Sequence, residues 1–205
     1  MSEPRIAVVD YGIGNLRSAE KALQHLGASA ALTSDPAEVE RADAVVLPGV
    51  GAFGACMRAL RASGLEKATK AAATDGRPFL GICIGMQMLF DGSDESPDVD
   101  GLGIVPGRVT LLPECERLPQ IGWNTLDVRA GSHLCAHLPD PAWLYFVHSY
   151  APEPDDDDVV AAWCMYARRF AAAIEHGSVW ATQFHPEKSG ETGLRLLRNF
   201  VEVAA

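Results

Sequence analysis

A chain of 205 residues, 48% hydrophobic and 21% charged, is long enough for one sizeable core, and residues 1–205 are expected to form a single soluble domain. Its 27 acidic against 17 basic residues give a formal net charge of −10, which speaks against nucleic acid as the main partner because phosphate binding needs basic patches. No apolar stretch reaches membrane-spanning length, and five dispersed cysteines (Cys56, Cys83, Cys115, Cys135, Cys164) with no Cys-x-x-Cys pair argue against a disulfide framework or a structural zinc site.

Met1-Ser2-Glu3-Pro4 lacks the pattern of a signal peptide, which together with the cysteine usage fits a reducing cytoplasm. Arg5-Ile6-Ala7-Val8-Val9-Asp10 reads as a short buried strand closed by a polar residue. After the Tyr11-Gly12-Ile13-Gly14-Asn15 loop, Leu16, Ala19, Leu23 and Leu26 form a helical stripe that stops at Gly27. A second strand is expected near residues 28–33, and a third at Ala44-Val45-Val46-Leu47 before the Pro48-Gly49-Val50-Gly51 turn. Alanine-rich helix follows over 52–74, broken near Ser63-Gly64, and then Arg77-Pro78-Phe79-Leu80 reads as a strand. Strands alternating with helices indicate a mostly parallel sheet with helices on both faces. Its strand-to-helix loops gather at the carboxyl edge, where an active site belongs.

Beyond Asp91 the pattern changes. Residues 91–100 read as an exposed polar loop. Short β-like runs follow at 107–112, 121–128, 143–149, 159–163, 170–176 and 179–184, predicting an added antiparallel β portion in the C-terminal half, packed onto one end of the parallel sheet. Asp155-Asp156-Asp157-Asp158 matches no calcium-loop spacing and reads as a solvated acidic turn. A last helix starts near Ser189 and buries Leu194, Leu197, Phe200 and Val201.

The chemistry concentrates at Gly81-Ile82-Cys83-Ile84-Gly85. A strand ending in Gly-x-Cys-x-Gly, followed by an apolar stripe through Met86, Leu89 and Phe90, is the thiol version of a nucleophile elbow. The helix starting there points free N–H groups toward the sulfur and favours thiolate. The bland reading is a buried, inert Cys in a tight turn. Against it stands Gln183-Phe184-His185-Pro186-Glu187-Lys188-Ser189, far downstream. Strand alternation would put His185 and Glu187 on one side, His185 taking the thiol proton while Glu187 holds its tautomer. Pro48-Gly49-Val50-Gly51 offers backbone N–H groups at the same edge, which with the N–H of Ile84 make a candidate oxyanion hole. Gln87, polar among apolar neighbours, is placed to face a substrate. The other four cysteines read as structural.

Those motifs, taken with Tyr11-Gly12-Ile13-Gly14-Asn15-Leu16, Pro48-Gly49-Val50-Gly51-Ala52-Phe53, Ile121-Gly122-Trp123-Asn124 and Tyr145-Phe146-Val147-His148-Ser149-Tyr150, resemble the class I, triad-type glutamine amidotransferases over nearly the whole chain. Within that class they look most like the glutaminase subunits of imidazole glycerol phosphate synthases in histidine biosynthesis. The resemblance implies a flavodoxin-like α/β fold and hydrolysis of L-glutamine to glutamate and ammonia through Cys83, His185 and Glu187. It also implies an oxyanion hole from the Val50 and Ile84 amides, whether or not the backbone near Gly49-Val50 must change first. Gly49, Gly51, Gln87, His148, Ser149 and Tyr150 would hold the glutamine. Asn15, Trp123 and Asn124 would face a (β/α)8-barrel cyclase subunit, the partner in a heterodimer that receives the ammonia; no cofactor, metal, nucleic acid or membrane is implied. One departure is visible: the family pattern leads to His-Met before Gly122, and this chain has Gln120-Ile121. The alternatives are another class I amidotransferase subunit, or a cysteine-based redox or peptidase-like member of the same superfamily.

Overall fold

The computed structural model describes residues 3–14, 16–114 and 116–205. β1 (Arg5–Val9) buries every residue after Arg5, as a strand covered on both faces does. α1 (Leu16–His25) seats Leu16, Ala19 and Leu23 on the core, and Gly27 ends the segment at φ 89°. β2 (Ser29–Thr33) follows, then α2 (Pro36–Arg41), a helix that the sequence reading passes over. Its start is nevertheless written in Asp35-Pro36: Asp35 accepts the Ala37 N–H at 2.9 Å, and proline occupies the first turn. Its end rests on Arg77, whose Nη1 donates to the carbonyls of Val39, Glu40 and Ala42.

β3 (Ala44–Gly49) is buried throughout; α3 (Phe53–Ala62) and α4 (Glu66–Ala72) are separated at Ser63-Gly64 as expected. β4 (Phe79–Cys83) runs directly into α5 (Ile84–Gln87). The helix expected after Cys83 is therefore a single turn, because Met88, Leu89 and Phe90 are buried in a tightening bend rather than along a helical stripe. The rest of the chain supplies β5 (Gly92–Ser93), β6 (Gly107–Leu111), β7 (Gln120–Thr125), β8 (Asp127–Val128), β9 (Trp143–His148), β10 (Tyr150–Pro154), β11 (Val160–Tyr166), β12 (Arg168–His176), β13 (Val179–Thr182) and α6 (Gly190–Ala204).

Eight of these strands form the central sheet, in the order β2-β1-β3-β4-β13-β12-β11-β8. The first five are parallel, and their order is the flavodoxin-like one, with β13 as the fifth strand. The connection from β1 to β2 runs one way along the sheet, and those from β2 to β3 and β3 to β4 run the other. With right-handed crossovers this puts α1 on one face and α2, α3 and α4 on the opposite face. The packing agrees: α1 lies against α6, and α2 against α4.

The expected antiparallel portion is present, and only its attachment differs. β12, β11 and β8 continue the central sheet beside β13 instead of packing on its end. Phe170, Ala171, Ala172, Ala173 and Ile174 are all buried, so β12 is covered on both faces, which a half-exposed hairpin would not be. The remainder makes two small sheets, β10-β6-β5 and β7-β9. Phe146 on β9 fastens the second to the core through edge contacts with Phe170 (6.0 Å) and Phe184 (5.5 Å). Residues 91–100 are also less exposed than their polarity suggests. Gly92 and Ser93 are buried in β5, Asp91 accepts the Gly107 N–H, and Asp94 pairs with Arg108. In α6 the buried stripe is Leu196, Leu197, Phe200 and Val201, with Leu194 only half-buried. The four aspartates at 155–158 are exposed, Asp156 accepting the Asp158 N–H, so they do form a solvated turn. No helix among the described residues is long and apolar enough to cross a membrane.

Gly85 is where this packing leaves no room: a Cβ there would collide with the Leu47 carbonyl on β3. Gly85→Ala should therefore cost about 1–3 kcal/mol or more of stability. Urea denaturation would measure it, and an unchanged midpoint would show that β3 yields more easily than the packing implies.

Candidate active site

Cys83 ends β4 and precedes α5 with φ 56° and ψ −111°, a left-handed conformation that costs a side-chain-bearing residue about 1–3 kcal/mol. Strand pairing on both sides holds it there: Gly49 of β3 is its register partner, and Thr182 of β13 pairs with the preceding Ile82. The elbow expected from Gly-x-Cys-x-Gly is thus formed, and it lifts the sulfur into a cleft of about 470 Å³. That cleft gathers Val50, Gly51, Cys83, Ile84, Gln87, His148, Ser149, Tyr150 and His185. Gly49 stands just behind them at the end of β3, and Glu187 behind His185.

The His185–Glu187 pair forms, but not through strand alternation. β13 ends at Thr182, and His185 opens the tight 3-10 turn Pro186–Lys188. Within that turn His185 Nδ1 donates to Glu187 Oε1 at 2.8 Å, both side chains being almost wholly buried. The backbone is clamped as well: the His185 N–H donates to the Tyr145 carbonyl (3.0 Å), and Ser189 Oγ donates to the His185 carbonyl (2.6 Å). Burial works against a charged imidazole. The neighbouring Cys83 and Glu187 outweigh it and raise His185 to about 9. Its Nε2 has no hydrogen-bond partner among the described residues.

His148 behaves oppositely. Burial, with only a carbonyl to oppose it and the charges of His185 and Arg168 adding to it, lowers this histidine to about 4. It is therefore neutral at pH 7, its Nδ1–H donating to the Tyr150 carbonyl at 2.8 Å and its Nε2 lying 2.9 Å from the Gln120 side chain. This accounts for Gln120 in the departure from the family pattern: the residue is buried and holds His148. Ile121, at 64% exposure, faces outward. Gln87 Nε2 donates to the Tyr150 carbonyl (3.1 Å) and to Gln183 Oε1 (2.9 Å), while its Oε1 is buried without a partner among the described residues.

The Pro48–Gly51 turn is held from below by two side chains. Tyr11 OH donates to the Pro48 carbonyl at 2.8 Å, and the buried Cys56 thiol, raised by burial, donates to the Val50 carbonyl at 3.3 Å. Cys56 is structural as expected, and what it supports is the Pro48–Gly51 turn. With Ile84 as the first residue of α5, its N–H lacks an intrahelical acceptor. Cys56, Cys83, Cys135 and Cys164 are free and buried; Cys115 lies outside the described residues.

The cleft also contains Glu95, Pro119, Val147 and Lys188, which the sequence reading does not single out. Glu95 accepts the Phe53 N–H at 2.6 Å, and only its charge within a polar stretch hinted at a role. Of the partner-facing candidates, Trp123 is 53% exposed and stands edge-on to Tyr145 at 6.1 Å. Asn124 instead spends its Nδ2 on the Met165 carbonyl (3.0 Å), and Asn15 lies outside the described residues.

A sequence profile of the class-I glutamine amidotransferases matches residues 7–204. The imidazole glycerol phosphate synthase subunit HisH of Methanothermobacter thermautotrophicus is 52% identical over 198 residues, covering 97% of this chain and 98% of the relative. The protein of the same name from a Synechococcus strain is 49% identical over 209 residues, covering 100% and 95%. Among solved structures, PurLQS from Thermotoga maritima superposes with a TM-score of 0.74 at 19% identity, covering 98% of this chain and 99% of that one. A crystal structure of a glutamine amidotransferase gives 0.73 at 23%, covering 97% and 98%. At those identities the likeness is one of fold.

Because His185 lies above its ordinary value of 6.5, the stability from its partners is fully present below about pH 6.5 and is lost as pH rises through about 9. An imidazole NMR titration should place its midpoint near 9. In Glu187→Gln, where burial is less opposed, the midpoint should fall by at least about one unit. An unmoved midpoint would remove Glu187 as the group that charges His185.

Proposed function

The chain belongs to the class-I glutamine amidotransferases, and from that membership we propose that residues 1–205 act as one domain, the glutaminase subunit of an imidazole glycerol phosphate synthase in histidine biosynthesis. The observation that carries the reading is a strained Cys83 sharing one cleft with a buried His185–Glu187 pair. In the reaction, the Cys83 thiolate attacks the side-chain amide carbon of L-glutamine, and the oxygen that gains charge is met by the Val50 and Ile84 N–H groups. Imidazolium His185 gives its proton to the departing nitrogen, so ammonia leaves and a glutamyl thioester remains. His185, now neutral, takes a proton from water as that water attacks the thioester. Collapse of the second tetrahedral species releases glutamate and returns the thiolate beside a charged His185. Throughout, Glu187 holds the Nδ1–H and steadies the imidazolium.

Substrate recognition follows from the lining. Glu95 and Lys188 give the cleft one charge of each sign, suited to the ammonium and carboxylate of an amino acid. Gln87 Oε1 accepts a substrate N–H, and Gly49, Gly51 and the backbone of His148, Ser149 and Tyr150 complete the site for L-glutamine. Ammonia passes to a (β/α)8-barrel cyclase, which docks where Trp123 stands exposed, with Asn15 and Asn124 as further contacts. Trp123 pairs across β7-β9 with Tyr145, whose carbonyl takes the His185 N–H, so partner and catalytic base share a short path. The free buried thiols fit a cytoplasmic enzyme.

The deciding experiment is glutamate release from glutamine by the protein alone, then with the cyclase barrel and its nucleotide ligand. Low release that rises strongly on addition is expected; no release in either case would sink the assignment. Cys83→Ala should abolish release while leaving cyclase binding intact, and loss of both would point to a damaged fold instead. Trp123→Ala should weaken the complex about tenfold or more in a binding titration, as loss of an aromatic anchor does. An unchanged affinity would take Trp123 out of the interface.

A further inference from the structure

The Tyr150 carbonyl accepts two hydrogen bonds, from His148 Nδ1 and from Gln87 Nε2. A carbonyl can only accept, so Gln87 must turn its amide nitrogen, not its oxygen, toward it. The same nitrogen lies 2.9 Å from the Gln183 side chain, which must answer with its oxygen. That leaves the Gln183 Nε2 facing Cys83 Sγ at 3.8 Å. Gln183 is fully buried, and its backbone N–H is fixed on the Ala172 carbonyl at 2.8 Å, so the amide is anchored at both ends. We infer that Gln183 is a further catalytic residue, whose side-chain N–H donates to the Cys83 sulfur and stabilises the thiolate, with Tyr150 and Gln87 as positioning residues that dictate the polarity of the relay. The inference rests on Cys83 being the nucleophile.

The chemistry favours a donor at this place. A hydrogen bond to a charged acceptor is shorter and roughly twice as strong as one to a neutral acceptor, so an N–H on sulfur favours thiolate over thiol. The helix dipole invoked from the sequence is small, since α5 spans only four residues and few peptide dipoles align. The titratable groups around the sulfur are His185, backed by Glu187, together with Tyr11 and Cys56, and His148, Glu95 and Lys188 line the same cleft. Burial raises Tyr11 and Cys56, which stay neutral near pH 7; His185 is raised to about 9 by Cys83 and Glu187 together, so its own titration is followed by imidazole NMR in parent and variant alike.

The test is iodoacetamide alkylation of Cys83, followed by peptide mass spectrometry, in the parent chain and in Gln183→Leu and Gln183→Met; the methionine keeps the length of the side chain in case leucine disturbs folding. Alkylation should slow several-fold at pH 7 in both variants and converge with the parent as the pH reaches 10. With the cyclase present, kcat for glutamate release should fall about tenfold while KM changes less than twofold. Equal rates at pH 7, or the same slowing at both pH values, would overturn the inference, the second outcome marking a change of access. In the parent protein itself, the Gln183 side-chain amide proton should shift in NMR with the pH midpoint of Cys83 alkylation, and a resonance that does not follow overturns the inference without any variant. Failure of the underlying reading looks different: alkylated Cys83 with glutamate release undiminished.

Discussion

A side chain at φ 56° relaxes unless its neighbours forbid it, and around Cys83 they do. β3 and β13 pair with β4 in parallel to within a residue of the cysteine, and Gly85 is pressed against the Leu47 carbonyl. Relaxing the elbow would lift the end of β4 from one of these neighbours and break ladder bonds inside a fully buried part of the sheet. The cost of the strain is small beside that loss, at about 1.5–3 kcal/mol for each large apolar side chain uncovered. The same three strands bring the Pro48–Gly51 turn to one side of the sulfur and the His185 turn to the other. Geometry at the site is therefore inherited from the middle of the sheet.

The two buried histidines show how partners, rather than burial, decide charge. Burial disfavours the imidazolium in both. His185 faces Glu187 and Cys83 and is held charged; His148 faces a carbonyl and an amide and stays neutral. One carries a charge and the other is a fixed neutral donor. Of the four buried side-chain polar atoms lacking a partner among the described residues, three belong to Gln87, His185 and Glu187. Each such atom costs about 1–3 kcal/mol, and these three lie in or directly behind one cleft.

Much of this was legible in the sequence because the relevant signals are local. β1, β3 and β4 announce themselves as unbroken apolar runs closed by glycine loops, and the parallel topology that follows predicts a common edge for Val50, Cys83 and the Tyr11 loop. His185 and Glu187 meet as expected, through a proline-led turn instead of alternation. What was hidden depends on long-range pairing. The buried run at residues 170–174 looks the same in a hairpin as in the middle of a sheet, so the extension of the central sheet could not be read from it. Glu95 sits in a segment whose polarity suggests solvent until its backbone partners are known. Gln183 lies in an apolar stretch, and only the Tyr150 carbonyl reveals which way its amide points.

β13 is the last strand in the chain and yet sits in the middle of the sheet, between β4 and β12. A ribosome that has delivered everything up to β12 has made Cys83, the Pro48–Gly51 turn and most of the cleft. That chain still lacks the strand on which its two halves join and the histidine that follows it. Loops closed over so long a separation form late. Ammonia is small and easily lost to solvent, and a nascent chain able to release it would do so with no acceptor docked. The topology makes completion of the cleft a late event of folding: Cys83 waits without His185 beside it until the sheet is whole.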